Sequence, residues 1–317
     1  MSEVPLGYVR TAGRGVTGAR TLQRDAVAGR LTSVRPGVVV GTTTWSAASE
    51  RARFMARIAA VVHTRRDRVV LSHESAAAVW GLPHLGRLPE VVELADHRGN
   101  LPRSRNGVAW RRTPFEPDEV EEVDGYLVTG LAQTLVDVAC RRGFLAAVVA
   151  LDAALAGRID RPRRIDATVL TQLLEREPRR GARRASAAIA FADARAESVG
   201  ESLSRAQMHL MGFPPPVLQA AFPRLGGGVD RTDFDWPEYG CFGEFDGDVK
   251  YLDPAYRSGR TIEQVILDEK KRADRIRRRY GRTEIRWDWS TARSAPRFRA
   301  LLLDAGLPVV RRSITPR

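Results

Sequence analysis

Carboxylates lie two residues apart, twice over, in the segment RTDFDWPEYGCFGEFDGDVKY, residues 231 to 251. If this segment is a β-hairpin, strand alternation places Asp233 and Asp235 on one side of its first strand. The same alternation places Glu244 and Asp246 on one side of the second strand. Converging carboxylates repel each other unless a cation neutralises them. Oxygen ligands with no His or Cys nearby favour Mg²⁺ or Mn²⁺ over zinc.

The chemistry that such a site predicts is phosphodiester hydrolysis. A hard divalent ion lowers the pKa of a bound water and stabilises the charge that develops on phosphorus and on the leaving oxygen. Residues 230 to 250 hold seven acids against Arg231 and Lys250, and Lys250 can assist by its charge. The alternative is that Asp246, Gly247 and Asp248 form only a turn and that the acids face solvent.

Helices on both sides of this hairpin are expected to position the carboxylates. One long helix is predicted over residues 185 to 212, where Glu197 and Glu201 are four apart and share a helical face. A second helix and a closing strand are predicted over 261 to 288, with an apolar face. This second helix supplies positive charge beside the carboxylates from Lys270, Lys271, Arg275 and Arg278.

The whole chain is strongly basic, with a net charge of +13 over 317 residues. This balance favours a polyanionic partner such as nucleic acid, or more weakly an anionic membrane surface. The excess is mostly arginine, which matches phosphate geometry but also follows from a GC-rich genome. Cys140 and Cys241 form no disulfide framework or zinc spacing, which fits a reducing cytoplasm. The sequence shows no transmembrane run or signal peptide, so we expect no membrane partner.

The pattern predicts a multidomain chain of α/β and α+β type. Residues 1–45 predict a helix and a two-stranded wing with Arg30 and Arg35 at its tip, as in a winged helix-turn-helix that docks on DNA. The alternative is a plain hairpin after a helix. Residues 46–157 predict a small α+β middle domain without a catalytic cluster. Residues 158–194 predict a basic helical linker, either a solvated face or a phosphate clamp, and 195–317 form the last domain.

The last domain resembles a known nuclease family over roughly residues 195 to 290. The motifs VGESLSR, GFPPPVLQ, RTDFDWPEYGCFGEFDGDVKY and LDEKKRADRIRRRYGRTEIRWDW resemble the very-short-patch-repair (Vsr)-like branch of the PD-(D/E)XK, or restriction-endonuclease-like, superfamily. The resemblance implies an α/β fold in which Glu201, Asp233 and Glu244 are the core acids. Asp246 stands where the wider superfamily has its lysine. The general base is then unassigned, with Lys250 as a displaced substitute.

The first half resembles a different family. AVAGRLTSVRPGVVV is similar to the winged-helix domain of AbiEi-type antitoxins of type IV toxin-antitoxin systems. LSHESAAAVWGLP and VTGLAQTLVDVAC are similar to the second domain of those antitoxins. The resemblance implies a non-catalytic protein that binds operator DNA and opposes a nucleotidyltransferase toxin.

Two functions therefore follow from the sequence. One is a Mg²⁺- or Mn²⁺-dependent DNA endonuclease with an N-terminal DNA-binding module. In that function Asp233, Glu244 and Asp246 hold the ion together with Glu201. The other is a non-catalytic DNA-binding regulator of the antitoxin type, whose last domain is a nuclease-like fold used for interaction.

Overall fold

The computed structural model describes residues 9–10, 16–96, 102–113, 115–161, 163, 165–176, 178–247 and 261–311. The chain divides into two units. The amino-terminal unit comprises residues 1–142 and 157–190, and the carboxy-terminal unit comprises residues 143–156 and 191–317. This division differs from the predicted boundaries at 157 and 194. The expectation of a multidomain chain with mixed helices and sheets is confirmed.

Three sheets organise the described residues. The strands are β1 (Val9–Arg10), β2 (Leu31–Arg35), β3 (Val38–Gly41), β4 (Val70–Leu71), β5 (Val92–Asp96), β6 (Val108–Arg112), β7 (Val120–Val123), β8 (Tyr126–Thr129), β9 (Val217–Pro223), β10 (Val229–Trp236), β11 (Cys241–Asp246) and β12 (Thr283–Asp288). The helices are α1 (Val16–Val27), α2 (Thr42–Ala47), α3 (Glu50–His63), α4 (His73–Val79), α5 (Leu131–Arg141), α6 (Phe144–Leu155), α7 (Ala167–Glu175), α8 (Ala182–Phe191), α9 (Val199–Met211), α10 (Ile262–Tyr280), α11 (Trp289–Ala292) and α12 (Ala295–Asp304).

A helix followed by a hairpin opens the amino-terminal unit, as the sequence predicts. After α1 the chain turns at Gly29, whose φ of +70° is a left-handed conformation that glycine adopts without steric penalty. Strands β2 and β3 pair antiparallel on either side of a turn at Pro36 and Gly37. Strand β1 pairs with the other edge of β3, which gives the order β1-β3-β2. Val38 and Val40 of β3 are buried.

The rest of the amino-terminal unit is built on a five-stranded mixed sheet in the order β6-β5-β4-β8-β7. Helices α3, α4 and α5 form because their apolar residues recur at helical spacing. Phe54 and Ile58 of α3 and Leu135 of α5 are fully buried, together with Leu94 of β5. These residues combine helices with a mixed sheet and belong to the same unit as residues 1–45.

The segment predicted as a linker, residues 158–194, folds into two helices that carry buried residues. Leu170, Leu173 and Leu174 of α7 are buried, and α7 packs against α5. Ala185 and Ala188 of α8 are buried as well. The apolar spacing within this arginine-rich stretch is therefore that of packed helices.

The prediction of one long helix over residues 185 to 212 is wrong. The structure contains α8 and α9 with a connection between them, residues 192–198. Ser198 Oγ accepts a hydrogen bond from the backbone N–H of Glu201 (3.1 Å), which caps the start of α9. The apolar period runs on through this Ser-x-x-Glu capping sequence, so periodicity alone does not reveal the break.

The carboxy-terminal unit holds a four-stranded sheet in the order β12-β11-β10-β9. Strands β9, β10 and β11 are antiparallel neighbours, and β12 runs parallel to β11. Phe242 packs on one face of this sheet with Ala273 and Ile276 of α10. On the other face Trp287 Nε1 donates a hydrogen bond to Ser204 Oγ of α9 (2.8 Å). The predicted hairpin, helix and closing strand are confirmed.

A buried ion pair fastens the end of α5 to α4 in the amino-terminal unit. The Arg142 guanidinium donates to both carboxylate oxygens of Glu74, at 2.8 Å and 2.5 Å. Burial opposes ionisation of Glu74, but the hydrogen bonds from Arg142 and His84 outweigh it and lower the pKa of Glu74 to about 2. A carboxylate whose pKa falls on folding stabilises the native state above its unfolded pKa, and this stabilisation is lost as pH falls through the folded value.

We expect Glu74→Gln to lower the free energy of unfolding by on the order of 3 kcal/mol at neutral pH. The difference from the native chain should shrink as pH falls from about 4.5 towards 2, because protonation removes the same pairing from the native chain. Urea unfolding followed by circular dichroism at several pH values measures it. Glu122→Gln is the matched control, because Glu122 pairs with Arg68 at the surface, where both side chains are more than half exposed. Equal effects of the two substitutions would contradict the assignment.

Candidate functional site

Glu201, the acid expected on the core helix, lies in the first turn of α9 and is 3% exposed. Its carboxylate accepts hydrogen bonds from the backbone N–H of Glu197 (2.8 Å), from Ser198 Oγ (2.8 Å) and from Gln219 Nε2 (3.0 Å). Glu197 precedes the helix, so the prediction that Glu197 and Glu201 share a helical face is wrong. These contacts make Glu201 a capping residue that also ties α9 to β9.

Asp233 and Glu244 occupy adjacent positions on β10 and β11. Strands β10 and β11 pair as far as Phe234 with Gly243, and Asp233 and Glu244 are the next residues on the two strands. The Asp233 carboxylate accepts a hydrogen bond from the backbone N–H of Phe245 (2.8 Å). Glu244 is 5% exposed, and its Oε2 accepts a hydrogen bond from Arg272 of α10 (3.1 Å). The structure thus brings these two predicted site residues together, beside a guanidinium.

Arginines also accompany the other acids of this sheet. Arg286 of β12 donates to Asp246, at 3.3 Å and 3.4 Å, and to Glu284 at 2.6 Å. Arg275 of α10, predicted to contact DNA, makes a bidentate ion pair with Asp230 at 2.9 Å and 2.7 Å. The hydrogen bonds from Arg275 are the largest cause that lowers the pKa of Asp230. Arg275 therefore already has an anionic partner within the chain.

The described residues include the acids at which the sequence predicts a divalent metal ion. Within them, no group of three His, Cys, Asp or Glu side chains is arranged to hold a metal. Asp233 Oδ2 accepts a hydrogen bond from a backbone N–H and Glu244 Oε2 accepts one from a guanidinium, so one oxygen of each carboxylate is already engaged. Lys250, a further residue of the predicted site, and Asp248, a residue of the alternative turn, lie outside the described residues.

The basic residues predicted to contact DNA occupy different environments. Arg30 is not at the wing tip, because it lies just before β2 and pairs with Asp25 (2.6 Å). Arg35 ends β2 beside the turn, where burial, and then the charge of Arg65, lower its pKa. Three further residues of this group are exposed on α10, namely Lys270, Lys271 and Arg278.

Sequence reasoning missed two groups of arginines. One is the pair Arg272 and Arg286, which neutralises the sheet acids. The other lies in the amino-terminal unit, where arginines from separate segments line one cavity. The available sequence signal was the recurrence of Arg-Arg pairs, at 111–112, 141–142, 179–180 and 183–184. Nothing in the linear pattern shows that these pairs meet.

Comparisons with known proteins name no activity. No protein-family model matches the chain. Two curated Mycobacterium tuberculosis proteins, uncharacterized protein MT2308 (strain CDC 1551 / Oshkosh) and uncharacterized protein Rv2248 (strain ATCC 25618 / H37Rv), are each 32% identical to it over 165 residues. These alignments cover 48% of this chain and 59% of each relative, so the chain matches less than two thirds of their length.

One solved structure shares a distant likeness with the chain. The crystal structure of the RV2827C protein from Mycobacterium tuberculosis gives a TM-score of 0.38 at 16% identity, over 69% of this chain and 84% of that chain. A likeness at this level carries no argument about fold or function. Among the helices in the described part of the chain, none has both the length and the apolar character needed to cross a membrane.

A buried ion pair within the carboxy-terminal unit holds α9, and with it Glu201, in place. Arg205 of α9 donates to both oxygens of Asp152 on α6, at 2.9 Å and 2.8 Å. The Asp152 side chain is fully buried, and that of Arg205 is 8% exposed. Removing one partner of such a pair leaves an uncompensated buried charge.

We expect Asp152→Ala to lower the free energy of unfolding by about 3–5 kcal/mol. Chemical unfolding of the full chain measures the loss. Arg195→Gln serves as control, because the Arg195–Asp193 pair is at the surface and should contribute less than about 1 kcal/mol. The double substitution Asp152→Ala with Arg205→Met should recover part of the loss, since it removes the unpaired charge. A small effect of Asp152→Ala, equal to that of the control, would contradict the role given to this pair.

Proposed function

We propose that this protein binds DNA through its first residues and acts as a regulator rather than as a hydrolase. The observation that supports the proposal is the three-stranded sheet β1-β3-β2. In the chain, α1 lies between β1 and β2, and a hairpin turn at Pro36 and Gly37 joins β2 to β3. A helix beside a projecting hairpin is the arrangement expected of a winged helix, which inserts the helix into a groove and lays the hairpin on the backbone.

Charge supports this proposal. The net charge of +13 gives the chain a long-range attraction for a polyanion. Lys270 and Lys271 lie exposed on α10, and the structure gives no ion pair for either residue within the described parts of the chain. Exposed cations without internal partners are the groups that exchange counterions with phosphates.

The state of the sheet acids favours a regulator over an enzyme. Glu201 caps α9, Asp233 binds a backbone N–H, and Glu244 accepts a hydrogen bond from Arg272. Each carboxylate therefore has a structural function of its own, and the described residues form no metal-ligand set. A nuclease-like fold whose acids are used in this way suits interaction rather than hydrolysis.

The amino-terminal resemblance extends this proposal to a partner. AbiEi-type antitoxins oppose a nucleotidyltransferase toxin, so the regulator proposed here would have such a toxin as its partner. Co-purification of the full chain with a nucleotidyltransferase encoded beside it tests this part of the proposal. Failure to form a complex would remove the toxin partner but leave the DNA-binding proposal standing.

A second candidate function is DNA endonuclease activity, which the order of elements in the carboxy-terminal unit favours. Helix α9, strands β9 to β11, helix α10 and strand β12 follow one another, and Asp233 lies beside Glu244 on neighbouring strands. This order and these acids match the motifs that resemble the Vsr-like nucleases. Cleavage would require Arg272 to release Glu244.

For DNA binding we expect log Kd to rise linearly with log salt concentration. The double substitution Lys270→Gln with Lys271→Gln should lower that slope by about 2, because each lost phosphate contact lowers it by about 1. Fluorescence anisotropy with a labelled duplex from the region upstream of the gene measures the slope. The control pair is Arg297→Gln with Arg299→Gln, which removes the same charge from exposed positions on α12. If the two double variants had the same slope of log Kd against log salt concentration, the effect would be one of charge alone and would not be specific to Lys270 and Lys271.

For hydrolysis we expect no cleavage of supercoiled, linear or single-stranded DNA in the presence of Mg²⁺ or Mn²⁺. Gel assays of the native chain, with Glu244→Gln and Asp233→Asn prepared in parallel, measure the outcome. Nicking that requires the ion and disappears in both variants would overturn the regulator proposal and establish the endonuclease. Nicking that persists in both variants would indicate a contaminating nuclease.

A further inference from the structure

A cavity of about 970 Å³ in the amino-terminal unit gathers arginines from three separate segments. The segments are β6, the end of α5, and the connection from α7 into α8. We refer to this cavity as the arginine cleft, defined by the six arginines that line it. They are Arg111, Arg112, Arg141, Arg179, Arg180 and Arg184.

Buried carboxylates hold the cleft arginines in position. Arg111 Nε donates to Glu93 Oε1 at 2.7 Å, and Arg141 Nη1 lies 3.5 Å from the same oxygen. Arg179 Nη1 donates to Asp137 Oδ1 at 2.8 Å. Glu93 and Asp137 are only 2% and 4% exposed, so they hold the guanidinium groups in fixed positions. Preorganised donors bind an anion with little loss of side-chain entropy.

Close approach of the α7–α8 connection to α5 builds one wall of the cleft. Gly181 has a φ of +88°, and a Cβ at that position would overlap the carbonyl oxygen of Cys140. Arg184 Nη2 donates to the same carbonyl at 3.0 Å. Only glycine permits this contact, beside which Arg179 and Arg180 line the same cavity as Arg111 and Arg112 of β6.

Several guanidinium donors in the cleft have no acceptor. Within the described residues, Arg179 Nε and Nη2 and Arg184 Nε are buried without a hydrogen-bond partner. Leaving a buried donor unsatisfied is unfavourable, and donors on charged groups are the most unfavourable of all. An oxyanion bound in the cavity would add negative charge beside these guanidinium groups, whose planar geometry suits it.

The charge in the cleft is strongly positive. Asp137 is a lining carboxyl, and burial raises its pKa to about 7, against the opposing charge of Arg179. Near neutral pH it therefore offsets only part of one positive charge. His73, which also lines the cavity, has its pKa lowered to about 3 by burial and adds no charge. The anion that fits must carry several negative charges.

The shape of the cleft distinguishes between kinds of anion. Ligand pockets typically enclose about 300–1,000 Å³, so this cavity has room for a molecule of nucleotide size. A duplex is bound instead through an extended surface that follows its backbone. Arginine pairs that converge on one concavity suit a di- or triphosphate group, which offers many oxygens within a small volume.

We propose that the arginine cleft is a binding site for a phosphorylated small molecule of nucleotide size, held by its phosphate groups. This site is separate from the proposed DNA contacts at the first hairpin and on α10. The inference therefore does not depend on the DNA-binding proposal, and either can fail without the other.

Calorimetric titration of the full chain with inorganic pyrophosphate and with ATP tests the proposal. The double substitution Arg112→Gln with Arg180→Gln should weaken binding of both probes at least about tenfold, because both side chains line the cleft. Both residues are exposed, so the fold should tolerate the change, and thermal unfolding checks this. The matched control is Arg183→Gln, an exposed arginine of α8 outside the lining, which should change Kd less than about twofold.

Saturable binding of pyrophosphate and ATP, lost in the double variant and kept in the control, supports the site. If ATP binds more tightly than pyrophosphate, the ligand is a nucleotide. If the two bind equally, the cleft recognises only the phosphate groups. Absence of saturable binding by both probes would overturn the proposal. So would an equal loss in Arg183→Gln. A double variant that weakens duplex DNA binding while neither probe binds would assign the cleft to nucleic acid instead.

Discussion

The carboxy-terminal unit depends on one buried charge pair, Asp152 with Arg205. The Arg205 guanidinium donates to Asp152 and to the carbonyl of Phe191, and it stacks over the Phe191 ring at 4.1 Å. Asp152 also accepts the backbone N–H of Asp193 at 2.8 Å. One desolvated pair therefore fixes α6, α9 and the connection before α9. Further hydrogen bonds, from the Asp193 N–H to Asp152 and from Arg205 to the Phe191 carbonyl, offset part of the cost of burying the pair.

Arginine serves opposite purposes in the two units. In the carboxy-terminal unit Arg272, Arg275 and Arg286 neutralise the acids of the sheet. In the amino-terminal unit the six arginines of the cleft outnumber their acidic neighbours, and buried N–H groups of Arg179 and Arg184 stay without acceptors in the described residues. A single net charge thus conceals one region in which arginines pair with acids and another in which arginines outnumber the acids.

Local sequence patterns predicted most of the helices and strands. They did not predict which residues from distant segments meet in the folded chain. Alternation and turn residues define the hairpin from β10 to β11, because the relevant contacts lie within a few residues. The break before α9 also had a local signal, the capping pair Ser198 and Glu201, which the continuous apolar period obscured. The arginine cleft had only the recurrence of Arg-Arg pairs as a signal, since its assembly depends on how closely Gly181 approaches Cys140 in the folded chain. The partners of Asp233 and Glu244 depend in the same way on where α10 packs.

The three crossings of the chain between the units govern how the protein is made. The amino-terminal unit needs residues 157–190, so it stays incomplete on the ribosome until after α6 has emerged. Helix α6 in turn cannot pack against α9 until α9 has been synthesised. Until then Asp152 lacks Arg205 as its partner and remains hydrated. No single cut separates the units, because a fragment that starts at residue 195 would lack α6 and leave Arg205 with a buried, unmatched charge. The two halves are therefore not interchangeable modules.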